Sequence, residues 1–166
     1  MQTQRLSLVS LTREELIAEV EAINSEDRHR LSADWLALLR GSTGADPWIH
    51  GFTLVFRETG ITVGRCGFKG PPAPDGVVEI AYGIEAAQQG KGYATEAVMA
   101  LVTFAFESGR VGQVRAHTLP MENPSTSVLA KCGFKRVGEI VDPEDGLVWR
   151  WAKSSEGIAR SGSLNR

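Results

Sequence analysis

The sequence predicts a mixed α/β fold of the α+β type, with a mostly antiparallel central sheet of six to seven strands and about four flanking helices. Short segments with alternating apolar residues indicate the strands, and segments with apolar residues three or four positions apart indicate the helices. The turn Thr59-Gly60 joins two neighbouring strand segments, which is typical of an antiparallel hairpin. With 166 residues, the chain has the length of one domain.

The N-terminal part of the chain predicts one strand, two helices and the hairpin. Alternating leucines predict a strand over residues 5–11. Thr12 and Glu15 have the spacing of a capping box, and an apolar stripe continues after them as a helix. A second apolar stripe predicts a helix over residues 26–39. The hairpin strands are predicted over residues 52–58 and 61–68.

The most continuous pattern in the chain runs from residue 77 to residue 107. Residues 77–84 alternate as a strand, and the residues after Gly92 repeat at helical spacing until the chain reaches Gly109. The turn between them contains Gly90 and Gly92. Backbone N–H groups at the start of a helix are unpaired, and the helix dipole is positive there. The pattern therefore predicts an anion site, and phosphate is the usual occupant of such a site.

The C-terminal part of the chain predicts three more strands and one short helix. The strands are predicted over residues 113–119, 134–141 and 147–152, and the helix over residues 125–132. We predict that residues 1–152 form a single domain and that residues 153–166, which are rich in serine, glycine and charge, form a loose tail.

Composition excludes several classes of protein. The net charge of −2 gives no reason to expect a nucleic-acid-binding protein, since such proteins tend to present a basic face. The chain contains no apolar run of membrane-spanning length and no signal-peptide pattern. Cys66 and Cys132 lie far apart and have no metal-ligand spacing, which predicts buried reduced thiols and no metal. We therefore expect a cytoplasmic protein, monomeric or homodimeric, without a nucleic-acid or membrane partner.

The spacing around the two glycines identifies the anion site more closely. A P-loop would have Ser or Thr after Lys91, and a dinucleotide-binding loop would have Gly at Thr95. The pattern Gln89-x-x-Gly92-x-Ala94 instead resembles the pyrophosphate loop of the GNAT superfamily of acyl-CoA N-acyltransferases, especially the branch of ribosomal-protein N-terminal (Rim-type) acetyltransferases. The segment from Asn123 to Lys131-Cys132-Gly133-Phe134 resembles the second half of the same core.

This resemblance implies a GNAT-like fold, acetyl-CoA as cosubstrate and a set of cofactor-binding residues. The main chain of Tyr82 and Ile84 would pair with the pantetheine arm where the central strand splays from its neighbour, at a bulge that Gly83 would permit. Asn123 and Ser125 would face the same arm, although an Asn-Pro-Ser sequence is also a good helix start. The pyrophosphate would be bound by Gln89, Gly90, Lys91, Gly92, Tyr93, Ala94 and Thr95.

The resemblance also suggests catalytic residues. Glu79 lies on the central strand, where a carboxylate could remove a proton from an amine nucleophile, although it could equally lie on a solvated face. Many members of the superfamily have a Tyr general acid at the position that Leu129 occupies here. Tyr82 and Ser125 are the alternative candidates for that acid.

Two functions fit these patterns. The first is an N-acetyltransferase that moves an acetyl group from acetyl-CoA to a primary amine by direct attack in a ternary complex. Its acceptor would be a small-molecule amine or the N-terminal amine of a protein or peptide. The alternative is a catalytically inactive CoA-binding sensor or interaction module, and Leu129 is the feature that favours it.

Overall fold

One seven-stranded sheet forms the framework of the computed structural model, which describes residues 1–155. The strand order within these residues is β1-β2-β3-β4-β5-β7-β6. Only the β4–β5 pair is parallel, and the other five pairings are antiparallel. The strands are β1 (Leu6–Ser10), β2 (Phe52–Phe56), β3 (Thr62–Phe68), β4 (Val77–Ile84), β5 (Gln113–Thr118), β6 (Lys135–Asp142) and β7 (Gly146–Ser154).

Five α-helices accompany the sheet in the described part of the chain. They are α1 (Arg13–Ala22), α2 (Ser25–Arg28), α3 (Ala33–Gly41), α4 (Tyr93–Glu107) and α5 (Pro124–Lys131), with a short 3₁₀ turn at Ala86–Gln88. Helix α4 packs on β1, β3 and β4 through a buried stripe that includes Ala97, Leu101 and Ala105. None of the helices in residues 1–155 combines the length and apolar character needed to cross a membrane.

The predicted fold class is confirmed, and most of the predicted elements appear within two or three residues of their expected bounds. The capping box at the start of α1 is present, because Thr12 Oγ1 accepts from the Glu15 N–H at 3.2 Å and the Glu15 carboxylate accepts from the Thr12 N–H at 2.8 Å. Cys66 and Cys132 are buried free cysteines, as expected.

The single helix predicted over residues 26–39 is wrong. The chain forms two helices there, and α2 ends at Arg28. Ser32 starts the second helix, since its hydroxyl accepts from the Trp35 N–H at 3.2 Å. A serine that caps a new helix offers the backbone an alternative to continuing the previous one. None of the α2 residues is buried, so no packing favours a longer helix.

The last strand extends further than predicted. Lys153 and Ser154 belong to β7 instead of to the tail, and the Ser155 N–H continues the contact by donating to the Gly112 carbonyl at 3.0 Å. The rest of the predicted tail, residues 156–166, lies outside the described residues.

The central strand β4 leaves one of its neighbours halfway along its length. It pairs with β3 from Ile80 to Ile84, but it pairs with β5 only from Val77 to Glu79. The side of β4 toward β5 is therefore open beyond Glu79. The register with β3 is uninterrupted over the paired residues, so the expected bulge in β4 is absent there and the opening comes from the divergence of β5.

Candidate active site

A cleft of about 560 Å³ occupies the opening beside β4, and we call it the CoA-side cleft because residues expected to bind CoA line it. The end of β4 forms one side, the turn before α4 forms the second and the first half of α5 forms the third. Every residue predicted for cofactor binding except Lys91 lines this cleft. Gln88, Pro124, Ser127, Val128 and Lys131 also line it, and sequence reasoning missed them.

The turn before α4 presents backbone instead of side chains to the cleft. Gly90 and Gly92 have φ angles of 76° and 84°, in the left-handed region that favours glycine. Gly92 is the N-cap of α4, and no side chain caps this helix. The first N–H groups of α4 therefore lack both intrahelical and side-chain partners, which is the arrangement that an anion requires.

Side chains on either side of this turn hold it in place. The Gln89 side-chain amide donates to the Ile84 carbonyl at 3.0 Å, which ties the turn to the end of β4. Lys91 Nζ donates to Gln88 Oε1 at 2.9 Å and does not line the cleft. The structure thus separates Lys91 from the other members of the predicted loop.

The opposite wall begins at the N-terminus of α5. Asn123 is the N-cap, because its Oδ1 accepts from the Thr126 N–H at 3.0 Å. Thr126 completes a capping box by accepting from the Asn123 N–H at 3.1 Å. The capping role of Asn123 is therefore confirmed. The Asn123 side-chain nitrogen takes no part in these bonds, so it is available to a ligand in the cleft.

We expect Asn123→Asp to separate the capping role from a ligand-binding role. Asp caps a helix about as well as Asn, so the free energy of unfolding should change by less than about 0.5 kcal/mol. The variant loses an amide donor facing the cleft, so CoA should bind roughly 5- to 10-fold more weakly. Urea denaturation and calorimetric titration with CoA measure the two effects. Unchanged CoA affinity would leave Asn123 with the capping role alone.

Tyr82 points into the same cleft from β4. Its hydroxyl donates to the Ser125 carbonyl at 3.4 Å, so strand and helix meet there. Burial raises the pKa of Tyr82 to about 12, which keeps the phenol protonated at neutral pH. Leu129, at the position of the expected general acid, is fully buried in the core. Leucine has no proton to donate, whereas Tyr82 lines the cleft and carries a hydroxyl.

Glu79 lies outside the CoA-side cleft, on the other face of the sheet. Successive residues of a strand point to opposite faces, so Glu79, Ala81 and Gly83 share a face that Tyr82 and Ile84 do not. Glu79 Oε2 lies 2.7 Å from Lys69 Nζ, and Oε1 lies 3.1 Å from His117 Nδ1. The Glu79 side chain is 22% exposed, so its carboxylate remains in contact with solvent.

One contact of His117 determines which nitrogen carries the proton when the ring is neutral. Arg150 Nε donates to His117 Nε2 at 3.1 Å, so a neutral ring has its proton on Nδ1. That atom is buried near Glu79 and lies 3.8 Å from Asp142 Oδ2, but it is not aligned for a hydrogen bond. Desolvation favours the neutral Asp142 carboxyl, but the Asp145 and Glu144 N–H groups and nearby positive charge outweigh it and lower the Asp142 pKa.

The same cluster has donor atoms of the kind that metals use. Glu79, His117 and Asp142 each offer one such atom, and these atoms all lie within 4.8 Å of one another. Lys69 and Arg150 already supply positive charge to this cluster, and a neutral His117 ring that accepts from Arg150 has a proton on Nδ1 in place of a free lone pair. The expectation that the protein works without a metal stays a prediction.

A groove of about 630 Å³ lies on the face of β4 that Gly83 presents, and of the β4 residues it is lined by Gly83 and Ile84 but not by Glu79 or Ala81. A smaller cavity of about 310 Å³, which Trp35 and His50 help to line, adjoins it at Arg65 and Gly83. Gly83 lines the groove, the small cavity and the CoA-side cleft, so the cavities approach each other across a residue without a side chain. We call the two cavities on this face the acceptor groove.

Three carboxylates line the acceptor groove, and sequence reasoning missed all of them. They belong to Glu15, Glu19 and Glu85. Arg65 forms two hydrogen bonds with Glu19, which lower the pKa of that carboxyl. The i,i+4 spacing of Glu15 and Glu19 places both on one side of α1, but the local sequence does not reveal that Glu19 meets Arg65 of β3 on this side.

A family model for the acetyltransferase (GNAT) domain matches residues 5–135. The chain therefore belongs to the GNAT acetyltransferase family, and its enzyme class is acyltransferase. The expected resemblance is thereby confirmed.

Three similar proteins illustrate this relationship. N-acetyltransferase p20 of Bacillus licheniformis is 32% identical over 93 residues, which are 56% of this chain and 52% of that protein. The chain thus spans about half the length of this curated relative.

The structure of aminoglycoside acetyltransferase AAC(6')-Ib with coenzyme A and kanamycin aligns with a TM-score of 0.64 and 21% identity, over 94% of this chain and 98% of that one. The structure of RimL, a ribosomal L7/L12 alpha-N-protein acetyltransferase, with coenzyme A aligns with a TM-score of 0.66 and 16% identity, over 92% and 95%. At these identities, the structural likeness concerns the fold alone.

Proposed function

We propose that this protein transfers an acetyl group from acetyl-CoA to a primary amine by direct attack in a ternary complex. One observation carries the proposal. The CoA-side cleft and the acceptor groove meet at the end of β4, where Gly83 and Ile84 line both. Two substrates bound in these cavities would meet at the backbone of one strand, without a covalent enzyme intermediate.

The cleft fits the chemistry of acetyl-CoA. The unpaired N–H groups at the start of α4, with Gly90 and Gly92 before them, would hold the pyrophosphate. The open side of β4 beyond Glu79 would pair with the pantetheine amides through the main chain of Tyr82 and Ile84. Asn123 and Ser125 would face the same arm. When bound, acetyl-CoA supplies an activated acetyl thioester.

The protein's own groups would then carry three tasks. A backbone N–H on the open side of β4 would donate to the reacting carbonyl oxygen as negative charge develops there. Glu79, on the acceptor face, would take the proton that the amine must lose. Tyr82 would donate a proton to the departing thiolate, with Ser125 as the weaker candidate, because Leu129 is buried.

The acceptor groove favours a cationic acceptor. At neutral pH a primary amine arrives as an ammonium cation. The groove is lined by three carboxylates and by one guanidinium, that of Arg65, so its negative charge attracts such a cation. Small-molecule amines and the N-terminal amines of peptides both meet this condition. AAC(6')-Ib is named for aminoglycosides and RimL for a protein α-amine, so the same fold carries both acceptor classes.

The test is release of CoA thiol from acetyl-CoA against a panel of peptides, polyamines and aminoglycosides, together with calorimetric titration of CoA. We expect CoA to bind and thiol to be released only when an acceptor amine is present. Tight CoA binding without release on the whole panel would favour the sensor alternative, which the buried Leu129 supports. Failure to bind CoA would overturn the proposal.

We further propose that residues 1–152, extended by the last residues of β7, act as one domain and that the enzyme is cytoplasmic, monomeric or homodimeric. Its ordinary composition and net charge of −2 support this view, as do its reduced cysteines. Size-exclusion chromatography with light scattering would determine the number of subunits.

A further inference from the structure

A carboxylate lies beside the anion site at the start of α4, although it does not line the cleft. Glu96 is the acidic residue in the first turn of this helix. Its side chain is 18% exposed. Burial opposes its ionisation, but the Thr3 hydroxyl, the Arg5 N–H and the Arg5 guanidinium outweigh that effect and lower the pKa of Glu96. Glu96 is therefore ionised at neutral pH.

An ionised carboxylate at a helix N-terminus competes with any other anion there. The helix dipole stabilises one negative charge, and a second negative charge nearby repels the first. A diphosphate that approaches the N–H groups of Tyr93, Ala94 and Thr95 would meet the charge of Glu96 one residue further along the helix. A compensating positive charge at Glu96 would relieve this conflict.

Arg5 supplies that charge from a remote part of the sequence. Arg5 Nε and Nη2 both contact Glu96 Oε2, and the Arg5 N–H donates to Glu96 Oε1 at 3.0 Å. Thr3 Oγ1 donates to the same Oε1 at 2.7 Å. The carboxylate of Glu96 is therefore fully engaged by the segment that leads into β1.

Arg5 also packs against the turn itself. Its guanidinium carbon lies 4.8 Å from the centre of the Tyr93 ring. Its Nη2 lies 3.0 Å from the place where a Cβ on Gly92 would be. One arginine therefore touches the N-cap, the first residue and the only acidic residue of the first turn of α4, all within the described part of the chain.

We propose that Arg5 is a positioning residue for the diphosphate of CoA: it neutralises Glu96 and braces Gly92 and Tyr93, so that the start of α4 accepts an anion. This inference rests on the proposed CoA site. It differs from a purely structural role, in which Arg5 and Glu96 only attach the N-terminal segment to α4. The two roles predict different results when the charge of Glu96 is also removed.

The experiment compares CoA affinity in Arg5→Gln, Glu96→Gln and the double variant by calorimetric titration. Arg5→Gln should weaken CoA binding roughly 5- to 10-fold, because Glu96 then repels the diphosphate. Glu96→Gln should bind CoA at least as tightly as the wild type. The double variant should return to within about threefold of the wild type, since neither charge remains. Arg57→Gln is the matched control, because Arg57, which directly follows β2, donates to the Thr3 carbonyl at 3.1 Å and not to Glu96.

A second substrate separates positioning from folding. S-acetylpantetheine has the thioester but no diphosphate, so its KM should be the same in the wild type and in Arg5→Gln. A double variant that binds CoA no better than Arg5→Gln would overturn the inference, as would an equal loss with both substrates. Unchanged CoA affinity in Arg5→Gln, with normal wild-type binding, would also overturn it. Absence of wild-type CoA binding would instead overturn the proposed function on which the inference rests.

Discussion

The Glu79→Gln variant is expected to release CoA thiol at least about 100-fold more slowly than the wild type at pH 7, because general-base catalysis contributes roughly 10²- to 10⁴-fold. Glutamine keeps the shape of the side chain but cannot accept the proton of the acceptor ammonium. The protein should still fold, since Lys69 keeps its contact with Asp145 at 3.4 Å. Steady-state thiol release over a range of acceptor concentrations measures the loss in kcat.

The pH profile distinguishes a base from a merely electrostatic group. An alkyl amine has a pKa of about 10.4 and an N-terminal amine one of about 8, so the acceptor loses its own proton as the pH rises. The loss of rate in Glu79→Gln, relative to the wild type, should therefore become smaller as the pH rises. With a peptide acceptor this recovery should begin at a lower pH than with an alkyl amine. Glu139→Gln, an exposed carboxylate on β6, is the matched control and should behave as the wild type. A deficit that stays constant with pH would assign Glu79 to the ion-pair cluster with Lys69 and His117 and remove it from the base role.

The Gly64→Ala variant is expected to lose about 3 kcal/mol of stability, at the upper end of the cost of overpacking. A Cβ at this position would lie 2.2 Å from the Gly83 carbonyl oxygen and 3.0 Å from the Ile84 Cα. Both atoms are backbone, so β3 and β4 would have to separate at the place where the cleft and the acceptor groove meet. The melting temperature should fall by roughly 6–12 °C for a protein of this size.

Activity should fall along with stability, because the separation moves the strand that would hold both substrates. The matched control is Gly138→Ala in β6, where an added Cβ has no atom within 4 Å. This control should keep the wild-type melting temperature within about 2 °C, since surface substitutions usually cost under 0.5 kcal/mol. Thermal denaturation and thiol release on both variants test the argument. A Gly64→Ala protein as stable and active as the control would show that β3 and β4 can separate without cost.

The elements that the sequence predicted well are those in which local residues determine the geometry. The glycines at 90 and 92, the capping box at Thr12 and the Asn123 cap each depend on neighbours within a few positions, and the structure has all of them. The strand, turn and helix around the cleft were therefore predictable as a unit. The prediction of one helix over residues 26–39 was wrong because the apolar spacing continues across Ser32, and this serine starts a new helix.

The rest of the site depends on contacts between distant parts of the chain. Lys69 and His117 come from the end of β3 and from β5, and only the sheet register brings them to Glu79. Arg5 lies 91 positions before the residue that it contacts in α4. No local pattern reveals such pairs, since periodicity gives the face of an element but not its neighbour. The acceptor groove was unpredictable for the same reason.

The alternation along β4 divides the two substrates between two sets of positions in the sequence. By this alternation, the side chains of Tyr82 and Ile84 point to the face opposite that of Glu79 and Ala81, although Tyr82 and Ile84 also border the acceptor groove and Gly83 lines all three cavities. A side chain changed on one face leaves the side chains of the other face in place. In evolutionary terms, such a strand allows acceptor preference to change while recognition of the acyl donor stays constant, because selection for the two substrates acts on alternate residues. A single fold can in this way supply many acceptor specificities without rebuilding its donor site.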